Sequence, residues 1–347
     1  MEEKIAKNSD YEKQKAKKIF IGNYKGGVGK TTSAMQIGGW LATKGKKVLL
    51  LDLDPQSSLS AICAECNNVK LEDYPYNETL NYAIELYSRY IDGITGMDIL
   101  TGQFKDLSKY IKSLIHTVSV SKEGKNYDMA FIPSSIIYKN SRLNDLAQRM
   151  SKKIYNIIMI PLILKQLDCE SKYEYIIFDC PPTSNMLTQS TFLSSDYYII
   201  PTICDEISIN GVPDYITEVD GIYDKYCMND EIGGIMIASV FGRKAKLIGV
   251  FETLYKNRGN ARTPDEDSRI ELLDKNIQKL NIASVISETK NEQFRYNTDK
   301  LKTKHIFNSV MYHNDGRSKG TAMAENTKTG KLHDVYKDLA NNIDSML

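Results

Sequence analysis

Across its 347 residues the chain has only six cysteines, four histidines and one tryptophan. The cysteines, Cys63, Cys66, Cys169, Cys180, Cys204 and Cys227, are scattered and in part buried in apolar runs, which excludes a disulfide framework. Cys63 and Cys66 have the C-x-x-C spacing of metal or redox sites, but no second pair accompanies them, and structural thiols are expected. His116, His305, His313 and His333 lie too far apart in sequence to suggest a ligand set. No apolar run is long enough to cross a bilayer, so no transmembrane helix is expected. The opening MEEKIAKNSDYEKQKAKK is charged throughout and lacks an apolar segment, which excludes a secretory signal and makes the cytoplasm the simplest location. Net charge is lacking too. With 45 Lys+Arg against 44 Asp+Glu, composition alone does not indicate a wholesale nucleic-acid or membrane binder, although the part after Gly242 is modestly basic.

What the chain does have is 41% apolar residues, enough for a real core, arranged as short apolar runs that alternate with helical patterns. That alternation predicts an α/β fold with a mainly parallel, twisted sheet covered by helices on both faces. The runs read as strands are KIFIGN (18–23), KVLLLDLD (47–54), MAFIPS (129–134), YIIFDC (175–180), YYIIPT (197–202), GIMIAS (234–239) and IASVIS (282–287). Several are continuous rather than alternating, as doubly covered strands should be. Between Thr32 and Lys44 the spacing of Ala34, Ile37, Gly38 and Leu41 predicts a helix, with Gly45 as its C-terminal cap. Residues 1–18 read as a charged helical extension, and about 64–126 as an inserted helical subdomain. Residues 243–267 read as a loop leading into an amphipathic helix near 265–279.

Between the first strand and that helix lies GNYKGGVGKTT. It ends as a phosphate-binding P-loop ends, in Gly29, Lys30 and Thr31, although the opening glycine of the usual pattern is displaced. Glycines 26, 27 and 29 let backbone N–H groups turn inward around an anion, and the helix that follows points its positive end at the same place. Lys30 reaches the terminal phosphates and the Thr31 hydroxyl binds Mg²⁺. Lys25, at the mouth of the loop, needs a different role.

The arrangement K-G-G-x-G-K-T-T resembles the deviant Walker A motif of the ParA/MinD superfamily of ATPases. The resemblance implies a P-loop domain over 19–347 that binds ATP and Mg²⁺ through Lys25, Gly26, Gly27, Val28, Gly29, Lys30, Thr31 and Thr32. It also implies that Lys25 reaches the nucleotide of a second copy when two protomers close around two ATP molecules, acting like an arginine finger. VLLLDLDPQSSLS (48–60) resembles the family's switch segment, so Asp54 is expected to orient the attacking water and Asp52 to serve the outer shell of the metal. YEYIIFDCPPT (173–183) resembles a Walker B strand, making Asp179 a metal residue with Thr31. IPTICDEISINGV (200–212) is similar to the partition branch's P-x-x-x-E-x-x-x-x-x-G segment, with Asp205 in place of glutamate.

The resemblance implies a ParA-type DNA partition ATPase: an ATP-dependent homodimer that binds DNA without sequence preference, associates with the nucleoid, and hydrolyses ATP slowly until a ParB-type centromere-binding partner stimulates it. Arg243, Lys244, Lys246, Arg295, Lys300, Lys302 and Lys304 are the candidate DNA contacts. Eighteen residues before the first strand are too few for a winged-helix operator-binding domain, and the mixed-charge tail KLHDVYKDLANNIDSML does not support a membrane anchor. Two other readings remain at this stage: an ATP-switched positioning protein with a protein cargo and no DNA, and a metal-cluster carrier.

Overall fold

The protein was analysed as a computed structural model that describes residues 15–138, 140–203, 205–253, 255–256, 264–287, 295–297, 302–307, 312–313 and 327–347. In chain order the strands are β1 (Lys17–Ile21), β2 (Val48–Asp52), β3 (His116–Lys122), β4 (Lys125–Ile132), β5 (Tyr175–Asp179), β6 (Tyr197–Thr202), β7 (Lys246–Glu252), β8 (Tyr255–Lys256), β9 (Arg295–Asn297), β10 (Lys302–Phe307) and β11 (Tyr312–His313). The α-helices begin with α1 (Lys30–Thr43), α2 (Ser58–Cys66), α3 (Leu80–Ile91), α4 (Gly96–Thr101), α5 (Leu143–Met150) and α6 (Met159–Gln166). They continue with α7 (Cys169–Lys172), α8 (Met186–Ser194), α9 (Glu206–Cys227), α10 (Gly234–Phe241), α11 (Pro264–Gln278) and α12 (Lys337–Met346).

Nine strands form one sheet in the order β3-β4-β2-β5-β1-β6-β7-β10-β9, while β8 and β11 pair separately. From β4 to β10 every neighbouring pair is parallel, and the two edge strands β3 and β9 are antiparallel to theirs. The central strands β2 and β5 are buried along their whole length, whereas β3 alternates buried and partly exposed positions as an edge strand does. Successive residues of one strand enter opposite layers. Leu49 and Leu51 pack with Ile84, Leu146, Ile163 and Phe192 on one face, and Val48 and Leu50 with Ile37, Leu41, Cys63 and Ile343 on the other. Each such side chain contributes about 1.5–3 kcal/mol by leaving water, so the sheet is fixed from both sides.

α1 is held closely to the sheet. A Cβ at Gly38 would lie 2.9 Å from Leu50 Cδ2, and after the helix Gly45 takes φ 80° as the expected cap. Its outer face is covered by the C-terminal segment: Ser33 Oγ lies 3.0 Å from the Tyr336 hydroxyl, Gln36 Nε2 donates to Lys331 O at 3.0 Å, and Trp40 Nε1 donates to His333 O at 2.7 Å. α12 turns Leu339, Ala340 and Ile343 inward, and among the described residues no helix is long and apolar enough to cross a membrane.

The structure corrects five sequence readings. GIMIAS is not a strand but lies in α10, where Gly234 and Ile237 are buried at helical spacing behind a left-handed Gly233. The strand in this region is β7, placed in what reads as a loop because Gly249 interrupts its apolar run; a Cβ there would lie 2.4 Å from Phe307 Cε2. IASVIS ends in a 3₁₀ turn (Val285–Ser287), and among the described residues it adds one bridge, Ser284 to Leu247. The stretch 64–126 is not helical throughout: α3, α4 and short 3₁₀ turns give way to β3, which forms a hairpin with β4. At the N-terminus, residues 1–14 lie outside the described residues, and Lys17 and Lys18 already belong to β1. Lys18 is buried there between Glu170 (2.6 Å) and Asp196 (3.3 Å). α11 matches the amphipathic helix expected near 265–279.

Gly38→Val should overpack the contact between α1 and β2 and lower stability by about 1–3 kcal/mol. A reduced urea midpoint with an unchanged slope, followed by Trp40 fluorescence, checks this; an unchanged midpoint contradicts the close approach.

Candidate nucleotide and metal site

Because β2, β5, β1 and β6 run parallel, their C-terminal ends fall on one edge, and the segments that follow them meet there. Asp52, Asp179 and Ile21 occupy one lateral row across β2, β5 and β1. From Ile21 the chain turns into the glycine loop, with Gly27 (φ 73°) and Gly29 (φ 78°) left-handed and no atom within 4 Å of a Cβ at Gly26 or Gly27. That open inner face and the following N-terminus of α1 suit a bound anion. Val28 turns its side chain into the interior, leaving its backbone to the loop, and Thr31 and Thr32 sit partly exposed in the first turn of α1.

The sequence reading passed over Asn23. Its buried amide donates to Pro201 O at 2.8 Å and its Oδ1 accepts from Lys25 N at 3.0 Å, so it fastens the loop to the end of β6. The available signal was a polar residue directly after a buried strand, a place that a loop anchor occupies.

Lys30 is nearly buried, and its ammonium donates to Asn23 O (3.3 Å) and Lys25 O (3.2 Å). Burial lowers its pKa, against the opposing pull of Asp179 and Asp54. Asp179 is buried with neither carboxylate oxygen in a hydrogen bond of ordinary geometry. Burial and the neighbouring Asp52 push its pKa well up, and the nearby Thr31 hydroxyl and Lys30 draw it only partly back. Asp52 is also buried, but Ser60 donates to its Oδ2 through both N and Oγ, each at 2.7 Å, and Asp54 N donates to Oδ1 at 3.1 Å. Burial still pushes its pKa up to about 6. Asp54 sits on the loop beyond, partly exposed, with Oδ1 accepting from Gln56 N at 2.9 Å. A buried carboxylate without an ordinary hydrogen bond, a threonine hydroxyl and a buried lysine around an open amide loop fit a divalent cation carrying a polyphosphate.

Lys25 stands apart from Lys30. Its ammonium forms an ion pair with Asp205 of the same chain, which also caps α9 by accepting from Ser208 N at 2.9 Å. Partial burial pushes the Asp205 pKa up, but the bonds from Lys25 and Ser208 prevail and hold it below the ordinary value.

The sequence profile of the AAA_31 family, described as an AAA domain, matches residues 16–233. The chromosome-partitioning ATPase Soj of Treponema pallidum is 27% identical over 231 residues, covering 66% of this chain and 73% of that protein. The chain is a member of this AAA-domain family, within the ParA/MinD superfamily. This superfamily member also aligns at 28% identity over 227 residues with an uncharacterized Mycobacterium tuberculosis protein, covering 64% of this chain and spanning only 58% of that relative's length. Among solved structures, an ATP complex of a variant of Cyanothece McdA matches with a TM-score of 0.60 at 18% identity, over 96% of this chain and 95% of that one. pNOB8 ParA bound to nonspecific DNA matches with a TM-score of 0.51 at 19% identity, over 95% and 99%. At such identities these two establish the fold.

The described candidate DNA residues differ in how they are engaged. Lys244 is committed to Asp220 (2.7 Å) and Asp224 (3.3 Å), and Arg243 and Lys246 also have partners. Lys302 and Lys304 are exposed on β10; Arg295 lies in β9, and Lys300 lies outside the described residues. Cys63 is buried and Cys66 partly so, burial raises both thiol pKa values, and among the described residues no His, Cys, Asp or Glu cluster of metal-binding form occurs.

Asp52 and Asp179 have raised pKa values, so the folded chain holds these protons more tightly than the unfolded chain does. Stability is therefore highest below the ordinary carboxylate range and falls as pH rises through the raised values. Without divalent cation, the melting temperature should fall as pH rises from the ordinary carboxylate range to about 6, the raised value of Asp52, and go on falling above that on account of Asp179. Asp179→Asn, which breaks no hydrogen bond of ordinary geometry, should flatten that slope in calorimetry; an unaltered slope contradicts the assignment.

Proposed function

We propose that the chain is a ParA-type partition ATPase, in which Mg·ATP closes two copies into a dimer that binds DNA without sequence preference and slow hydrolysis resets it. The observation that carries the reading is the row of Asp52, Asp179 and the glycine loop on one sheet edge, with Asp179 buried and unpartnered beside Lys30. The name of the Soj relative, a chromosome-partitioning ATPase, supports partition as the process served.

Lys30 and the amides of Gly26, Gly27, Val28 and Gly29 bind the phosphates, and Thr31 and Thr32 complete the cradle. Thr31 and Asp179 would hold Mg²⁺, with Asp52 behind them; the ion would supply neutralisation of phosphate charge. Asp54 orients the attacking water. Lys25 leaves Asp205 and stabilises developing charge on the nucleotide of the second copy. No strong general base faces this arrangement among the described residues, so a ParB-type centromere-binding protein is the expected stimulator. Exposed Lys302 and Lys304 are the best placed of the candidate DNA contacts, and DNA binding would associate the protein with the nucleoid.

ATP should promote retention on arbitrary duplex DNA that weakens as salt rises. Retention that is absent with ATP, alongside normal ATP turnover, would instead favour a protein-positioning ATPase with a protein cargo. Lys30→Ala should lose ATP binding, Asp54→Ala should bind ATP and remain dimeric, and Lys25→Ala should bind ATP while turnover falls about 10³-fold or more, as on loss of an arginine finger. Normal turnover by Lys25→Ala rules out its action across the dimer.

A further inference from the structure

A buried chain of polar contacts joins the inserted segment to the loop that carries Asp54. At its centre is the tripeptide Pro133–Ser134–Ser135, where the chain leaves β4. The start of α3 grips it from one side: Leu80 N donates to Pro133 O (2.8 Å), Asn81 Nδ2 donates to Ser135 O (3.0 Å), and Asn81 Oδ1 accepts from Ser135 N (2.9 Å). From the other side, Ser134 N donates to Ser60 Oγ (2.8 Å) and Ser134 Oγ donates to Ser57 Oγ (2.9 Å). Ser60 in turn holds Asp52 through two 2.7 Å bonds, and Asp52 holds Asp54 N at 3.1 Å. Asn81, Ser134 and Ser60 are fully buried.

Polar groups removed from water cost free energy unless bonded, so each link here requires the next. Ser57 adds a second sign of constraint. It takes a left-handed φ of 53°, a conformation that a non-glycine residue keeps only where its surroundings hold it, and its hydroxyl is bonded by Ser134. The loop 53–57 is thus pinned at one end by Asp52 and at the other by Ser57, and both pins end on the tripeptide that Asn81 grips.

We propose that Ser60 is a positioning residue for Asp54, and that Asn81 makes the inserted helix α3 the element that governs how firmly Asp54 is held, and so governs turnover. The effect on turnover rests on the ATPase reading above; the mechanical coupling does not. The test pairs amide hydrogen exchange of the nucleotide-free chain with steady-state ATP hydrolysis. Ser60→Ala should speed exchange at residues 53–57 by about tenfold or more, and lower kcat while KM for ATP stays within about twofold. Ser60→Thr, which keeps the hydroxyl, should restore both. Asn81→Ala touches none of residues 53–57, yet should give the same pattern, with exchange in α1 unchanged. Asn81→Asp, which keeps the acceptor for Ser135 N, serves if that variant does not fold. Unchanged exchange at 53–57 in the Asn81 variant overturns the coupling. An unchanged kcat in Ser60→Ala, with the wild type active, overturns the positioning role. A wild type without hydrolysis counts against the ATPase reading instead, and the exchange measurement still decides the coupling.

Discussion

Two carboxylates buried side by side at the ends of neighbouring parallel strands impose the main constraint on this molecule. Asp52 and Asp179 can be held there only because the residues before them, Val48–Leu51 and Tyr175–Phe178, are buried on both faces and leave no freedom to swing toward water. Their charges oppose each other and burial opposes both, while Lys30 beside them suffers the same burial with the opposite sign. An arrangement of this kind is unfavourable in isolation and becomes favourable when a cation and a phosphate chain complete the charge pattern. The glycine loop, anchored through Asn23 to the end of β6, supplies the amides that such a chain needs.

Two lysines in one loop divide the labour by position. Lys30 turns inward onto loop carbonyls, and Lys25 turns outward onto the cap of α9. The second pairing gives Lys25 a defined place within its own chain, and any contact with another copy must compete with Asp205, whose carboxylate is already favoured in its charged form.

The site was more legible in the sequence than the fold around it. The segments read as phosphate loop, switch and Walker B strand are local: their residues are adjacent in sequence, and Gly27, Gly29, Asp52 and Asp179 lie where strand, turn and helix rules put them. What stayed hidden depends on distant partners. β7 is interrupted by a glycine whose absent side chain makes room for Phe307, more than fifty residues on, and nothing in KLIGVFE announces that neighbour. GIMIAS has strand composition, but the glycines at the two ends of its helix, Gly233 and Gly242, and its packing make it a helix, a case of tertiary context overriding propensity. Asn23 and Asn81 are ordinary asparagines in sequence and gain meaning only from carbonyls on other elements.

The covering of α1 by residues from near the other end of the chain bears on the order of events during synthesis. Ser33, Gln36 and Trp40 find their partners in Lys331, His333 and Tyr336, so an emerging polypeptide can assemble β1, β2 and β5 while the outside of its first helix still faces water. Closure of that helix waits for translation to pass Tyr336, which ties a fully braced glycine loop to a segment made long after it.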